Sequence, residues 1–367
     1  MGAYNHDLLL DEDSVEKFPH IKNILCDPVL QAEFTVHDKR AKRAKGWFHG
    51  LGVAALVLGI VGLLLALAEV SSPALHLAVW PKWMRLVGPC SALMAIFIYF
   101  TSQLLRLREK WLASLFARER IRQWHFQRFL DGKTVSQLGE AGERHLAQAE
   151  LQRRWALFRD SLNRDPGGAM DAYVKRKEDF PKWDHPQTDY RPGSVADEVF
   201  TALSDLRLEH QVQYSVKKTL PSGHEITLPP NERDRISEWL ARSTFIAAIA
   251  LAALQVLLYS YLASTERSSH AAKLEELGVG LNVLAVLFAI LSAGIRVYRI
   301  GYTLPGESES YQHYLERCEI FLRSWDHTAF DKQSKTLDTT ELLNLEIEAY
   351  RELRHFLTIK RTASFLF

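Results

Sequence analysis

Three cysteines, Cys26, Cys90 and Cys318, are too few and too scattered for a disulfide framework. No Cys-x-x-Cys or His-Glu-x-x-His spacing exists to hold zinc. A phosphate-cradling glycine loop is also missing, because Gly278-Val-Gly280 falls inside an apolar stretch. His20, His125, His185 and His313 are scattered rather than clustered. These absences lead us to expect a non-enzyme, with no catalytic residues, cofactor or metal. A dominant charge is lacking as well: 45 basic residues face 44 acidic ones, net +1, so any electrostatic recognition must come from local clusters. Near the start, Asp7, Asp11, Glu12 and Asp13 surround Leu8 to Leu10, which does not suit a cleaved signal peptide. Gly2 is followed by His6 where myristoylation prefers Ser or Thr.

Most telling is the lack of charge in four stretches, 46–68, 86–105, 245–262 and 277–295, none of which contains Lys, Arg, Asp or Glu. The chain is 47 % hydrophobic, yet its mean hydropathy is slightly negative, so the remainder is strongly polar. At about 1.5 Å rise per residue each stretch reaches across a roughly 30 Å hydrocarbon core. Helices of a soluble bundle keep a polar face, and Val53-Ala-Ala-Leu-Val-Leu-Gly-Ile60 has none. The expected fold class is all-α: an integral membrane protein with four transmembrane helices as two hairpins and a cytoplasmic helical domain.

Basic residues set the expected orientation, since Lys and Arg are retained on the cytoplasmic side. Lys39, Arg40, Lys42, Arg43 and Lys45 precede the first stretch, and Arg106, Arg108, Lys110, Arg118, Arg120 and Arg122 follow the second; the segment between holds only Lys82 and Arg85. Both termini are expected in the cytoplasm of a multi-pass inner-membrane protein. Trp47, Trp80, Trp83, Trp239, Tyr259 and Tyr261 stand near the ends of the stretches, where amphipathic rings favour the interface.

The hairpins read as one unit occurring twice. Gln31-Ala-Glu-Phe34-Thr35-Val36 precedes the first and Gln211-Val-Gln-Tyr214-Ser215-Val216 the second, each followed by basic residues and a Trp. The second copy carries an insert, Leu220 to Pro230, read as a loop or short hairpin. The expected organisation is an N-terminal cytoplasmic segment (1–38), a first hairpin unit with its following helix (39–130), cytoplasmic helices and a Pro/Gly-rich linker (131–210), a second hairpin unit (211–325) and a C-terminal helix (326–367). Helices are expected from Arg106 to about Leu130, within Thr134 to Asn163, and from Val195 to about Val216. Asp165-Pro-Gly-Gly and the prolines up to Ser194 suggest turns. Asp338-Thr-Thr-Glu341 is a capping-box-like start for the last helix.

This arrangement resembles the SLATT effector domains of bacterial anti-phage systems. The resemblance is carried by the repeated Gln-x-x-aromatic-Ser/Thr-Val pattern, the hairpins, Arg108-Glu-Lys-Trp111 through Glu119-Arg-Ile-Arg122, and Tyr311 to Arg323. Family members usually carry one hairpin, so this chain looks like a tandem version. The resemblance implies a pore-forming effector, controlled by a nucleotide or oligonucleotide from a partner nucleotidyltransferase, as in CBASS-like and Hailong-type systems.

The stretches lack an ionisable relay, which argues against a proton-coupled transporter. Gln255 and Asn282 need partners in hydrocarbon, either each other or water in a lumen, and with Ser292 they are the candidate pore-lining residues. Four helices of one chain enclose little space, so a homo-oligomer is expected in contact with membrane lipids. The candidate ligand-binding residues for a nucleotide or single-stranded nucleic acid are Lys39, Arg40, Lys42, Arg43, Lys45, Arg118, Arg122, Lys217 and Lys218, interleaved with aromatics that stack bases; Lys175-Arg-Lys177 is a further basic surface. Topology and anionic headgroups account for the same juxtamembrane charges. The competing class is a membrane-anchored adaptor that recruits a soluble partner.

Overall fold

The structure, a computed structural model, describes residues 8, 16–71, 84–131, 137, 140, 142–175, 194–219, 230–264, 271–328, 330–331, 336–337 and 339–365. The principal helices are α1 (Pro28–Ser71), α2 (Met84–Leu104), α3 (Leu107–Gln127), α4 (Arg144–Arg164), α5 (Pro166–Lys175), α6 (Ser194–Ala202), α7 (His210–Thr219), α8 (Pro230–Ser264), α9 (Ala271–Tyr302), α10 (Leu304–Thr328) and α11 (Thr339–Arg361). A single turn at Lys22–Leu25 precedes α1, a tight turn at Arg128–Leu130 follows α3, and a π turn at Leu203–Glu209 joins α6 to α7. The described strands are one two-residue pair, β1 (Phe330–Asp331) antiparallel to β2 (Thr336–Leu337). Among the described residues the regular structure is helical apart from that pair.

Two compact units are gathered from separate stretches of chain. A polar unit takes Met1–Ala44, Glu109–Pro229 and Gly306–Arg361, and an apolar unit takes Lys45–Arg108, Pro230–Pro305 and Thr362–Phe367.

The apolar unit contains the charge-free stretches, and four helices of the chain are long and apolar enough to cross a membrane, within Lys22–Ser71, Leu86–Gln127, Asn231–Tyr261 and Leu274–Tyr302. Their large side chains face outward: Phe97 is 66 % exposed, Leu104 82 % and Leu257 66 %. A soluble bundle would turn such side chains inward. What lies between the helices is small. A Cβ at Gly62 of α1 would stand 3.1 Å from the Gly88 carbonyl oxygen and 3.2 Å from the Ala92 nitrogen of α2, so glycine allows the two backbones nearly to touch. Between α8 and α9, polar ties lie toward one end, while at the other a Cβ at Gly278 would stand 3.0 Å from the Tyr259 ring. The buried Ser292 hydroxyl donates to the Ala241 carbonyl at 2.9 Å, and Arg299 donates to Asp234 Oδ1 through Nε at 3.0 Å and Nη2 at 2.7 Å.

Arg106 and Thr303, with φ of 48° and 53°, are the non-glycine residues in the left-handed region among those described. That conformation costs about 1–2 kcal/mol for an L-residue with a Cβ. Each follows an apolar helix, donates its N–H to the carbonyl three residues back (Gln103 at 2.9 Å, Ile300 at 3.0 Å), and precedes a leucine that starts the next helix. The same irregular stop thus follows both apolar pairs. It is a second feature, besides the Gln-x-x-aromatic pattern, that two copies of one unit would share.

In the polar unit, α3 is almost encircled. Trp111, Leu112, Leu115, Phe116 and the whole run from Ile121 to Phe129 are buried. Phe126 and Phe129 join Ile21, Leu25, Val199, Leu203, Leu208 and Cys318 in one cluster. Aromatic rings extend it, Trp124 lying 4.8 Å from Trp155 and Tyr173 lying 4.3 Å from Tyr350. The Tyr173 hydroxyl donates to the Tyr350 carbonyl at 2.7 Å. Arg207 stands on the π turn and meets Glu346 of α11 at 2.9 Å. Both side chains are buried, and the guanidinium also lies 4.9 Å from the Phe126 ring centre.

One expectation is corrected at Asp165-Pro-Gly-Gly, read from the sequence as turn but forming the start of α5. Asp165 Oδ1 accepts the Gly168 N–H at 2.9 Å, and Pro166 takes the first helical position, where a missing N–H costs nothing. The remainder of the expected linker, 176–193, and the insert at 220–229 lie outside the described residues.

Arg207→Ala leaves Glu346 buried without its main partner and is expected to lower stability by about 3–5 kcal/mol, whereas Arg207→Met with Glu346→Leu removes both charges and recovers most of it. Thermal melting of the full chain in detergent checks the pair.

Candidate functional site

The expected ligand cations divide into two sets. Lys39, Arg40, Lys42, Arg43 and Lys45 are all exposed along α1. Arg118 and Arg122 are drawn inward on α3, Arg122 to 8 % exposure with its guanidinium 5.3 Å from the Phe34 ring centre. Lys217 and Lys218 stand at the end of α7, and Lys175 at the end of α5; the side chains of Lys217 and Lys218, and residues Arg176 and Lys177, lie outside the described residues.

Carboxylates connect several of these cations. Asp38 accepts from Lys42 at 2.6 Å and from Arg118 at 3.0 Å; Glu119 accepts from Arg118 and, at 2.8 Å, from Arg122. Lys42, Asp38, Arg118, Glu119 and Arg122 form one chain of alternating sign. Burial alone would raise the Glu119 pKa, but Arg122 and Arg118 outweigh it and hold the carboxyl down at about 2. An incoming phosphate would have to compete with Asp38 and Glu119 for these guanidinium groups.

Beside this network lies a cavity of about 120 Å³. Arg118, Glu119, Arg122 and Gln123 of α3 form one wall, and Arg207, His210, Gln211 and Tyr214 another. Tyr311 and Tyr314 of α10 and Ala349, Glu352, Leu353 and Phe356 of α11 complete it. Two residues of the second Gln-x-x-aromatic pattern, Gln211 and Tyr214, therefore line the cavity, and the Tyr214 hydroxyl lies 3.4 Å from that of Tyr311. In the first copy Phe34 is fully buried beneath Arg122. In each copy the pattern's aromatic meets the helix that follows its own apolar pair.

Glu352 is the cavity's unusual acid. Burial raises its pKa to about 7 although the Ser310 hydroxyl, donating at 2.6 Å, pulls the other way. Near neutral pH it is divided between its two protonation states, while Glu119 is fully ionised. Arg207, Glu352 and Tyr311 were not among the sequence candidates as site residues. Their convergence requires the π turn, α10 and α11 to meet, which no local spacing announces.

Among the candidate pore residues, Ser292 is buried and its hydroxyl is bound to the Ala241 carbonyl. Gln255 is half-buried on α8 and Asn282 exposed on α9. No hydrogen bond to either amide is formed among the described residues, so the expected alternative of pairing with each other is not realised within the chain. No group of three or more His, Cys, Asp or Glu side chains among the described residues is placed to hold a metal ion.

No protein family, curated protein or solved structure matches the chain.

The raised Glu352 pKa has a definite sign for stability. A folded pKa of about 7 against an unfolded value near 4.5 means the folded chain holds the proton more tightly. The protonated form's stability is present below 4.5 and is lost as pH rises from 4.5 through 7, by on the order of 3 kcal/mol. Glu352→Gln is expected to flatten this slope; melting temperatures of the full chain in detergent between pH 4.5 and 8 provide the check.

Proposed function

We propose that the chain is a multi-pass membrane protein whose apolar unit assembles with further copies into a pore, under the control of a nucleotide or oligonucleotide bound by the polar unit. The observation that carries the pore is the state of Gln255 and Asn282. Two amides in otherwise apolar stretches have no hydrogen bond among the described residues, and in hydrocarbon each needs one. Another copy or a water-filled path supplies it. The outward Phe97, Leu104 and Leu257 support the membrane reading, since lipid is the surface they fit. The basic residues flanking the first apolar pair support cytoplasmic termini at a bacterial inner membrane. The likeness to SLATT effectors supplies the setting, anti-phage defence in which an open pore impairs the host membrane.

Ligand recognition is assigned to the cavity and its edge, where Arg118 and Arg122 stand beside Tyr214 and Tyr311. A phosphate would replace Glu119 on the guanidinium groups and a base would lie against the rings. A second reading, the membrane-anchored adaptor, is favoured by one observation: Arg118, Arg122 and Arg207 already have carboxylate partners, as a purely structural network would.

Membrane potential during expression separates the two. A pore depolarises the inner membrane, and Gln255→Leu with Asn282→Leu relieves the depolarisation at equal expression. An adaptor leaves the potential unchanged and yields a stable complex with a soluble partner.

A further inference from the structure

The described tail after α11, residues 362–365, belongs to the apolar unit, and its Phe365 is buried there at 6 % exposure. The ring lies edge-on to Phe48 of α1 and Tyr302 of α9, both at 5.6 Å between centres, and 6.1 Å from His49. Tyr99 and Ser102 of α2 line the same small pocket. Two glycines on different helices make room for this one ring. A Cβ at Gly52 of α1 or at Gly301 of α9 would overlap it. The tail's backbone is held too, the Ala363 carbonyl accepting from Arg108 Nη1 at 3.0 Å. An aromatic with a cleared seat on two helices and a guanidinium on its neighbouring backbone is more than an incidental contact.

We propose that Phe365 is a latch, an aromatic wedge that ties α1 to α9 at one end of the apolar unit and keeps the unit in its resting arrangement, so that withdrawal of the ring frees these helices to move. The segment is suited to control because it continues directly from α11. That helix supplies Glu352, Leu353 and Phe356 to the cavity, ends at Arg361, and is followed four residues later by Phe365. A ligand that displaces α11 acts on the residues that lead into the latch. The role as a gate rests on the pore reading; the seat does not.

The test uses full-length protein carrying Ser364→Cys, with labelling by a water-soluble maleimide followed on the C-terminal peptide by mass spectrometry. Gly52→Val and Gly301→Val, each of which expels the ring, are expected to raise labelling about tenfold, as local opening does. In cells, both variants and Phe365→Ala are expected to depolarise the membrane without infection; Phe365→Ala alters neither helix and so guards against misfolding. Labelling that stays at the unsubstituted level in both glycine variants overturns the seat, whatever the potential does. Labelling that rises while the variants keep a normal potential, in a protein whose unsubstituted form depolarises on infection, overturns the latch as a gate. If no form alters the potential under any condition, the pore reading fails and the gate with it, while raised labelling still establishes the seat.

Discussion

The exclusion of charge from four long stretches is the constraint from which the rest of the structure follows. With no Lys, Arg, Asp or Glu in 46–68, 86–105, 245–262 or 277–295, those helices associate through glycine contacts and a few hydrogen bonds, and their large side chains turn outward. Charge is concentrated elsewhere, and a few of the charged side chains are buried in the polar unit. A buried ion is costly unless paired, so that unit is organised around matched groups: Arg207 with Glu346, Arg118 and Arg122 with Glu119. Arg128 follows the same rule by other means. Burial lowers its pKa to about 10, so it stays charged, satisfied by the His125 carbonyl at 3.0 Å, the Ile24 carbonyl and Asp27. Because Arg128 also donates to His125 Nδ1, the imidazole proton is left on Nε2; burial, then Arg128, keeps that ring neutral.

Legibility in the sequence follows how local each cause is. Apolar length and the absence of charge are properties of neighbouring residues, and the four stretches fall within helices at the expected places. The helix from Arg106 to Leu130 was equally readable from its aromatic and basic periodicity. Asp165-Pro-Gly-Gly misled because Asp, Pro and Gly serve turns and helix starts alike; only the carboxylate's bond to the Gly168 N–H decides between them. Arg207 and Glu346 stand 139 residues apart, and their pairing depends on a π turn whose composition, Leu203 to Glu209, reads as ordinary helix. Phe365 was invisible for a similar reason. The seat is made by the absence of side chains at Gly52 and Gly301, and glycine in an apolar helix carries no mark of what it makes room for.

The two apolar pairs and the segments before them share backbone devices and differ in chemistry. Both end their apolar pair with a left-handed residue, Arg106 or Thr303, and both send the pattern's aromatic to the helix beyond. In the first copy that aromatic is Phe34, sealed under Arg122. In the second it is Tyr214, whose hydroxyl reaches Tyr311 at a cavity wall. The first copy thus contributes packing and cations, the second hydroxyl groups and open space. The cavity combines both, with Arg118 and Arg122 on one wall and Tyr214 and Tyr311 on others.

If Phe365 is the latch proposed above, the strength of its seat sets what a ligand must accomplish. Burying one Phe side chain is worth about 1.5–3 kcal/mol, which biases a two-state equilibrium roughly ten- to a hundredfold toward the seated form. A ligand shifts that balance only by its difference in affinity for the two states. Phosphate binding to Arg118 and Arg122 has a small net gain while Glu119 stays near, since one anion merely replaces another. The gain becomes state-dependent if α11 moves, because its Glu352 faces the same cavity and loses its proton most easily when hydrated. Motion that lets water reach Glu352 lowers its pKa toward the ordinary carboxylate value and stabilises the displaced helix near neutral pH. Exchange at Glu119 and hydration of Glu352 together are of the magnitude that a single buried ring opposes.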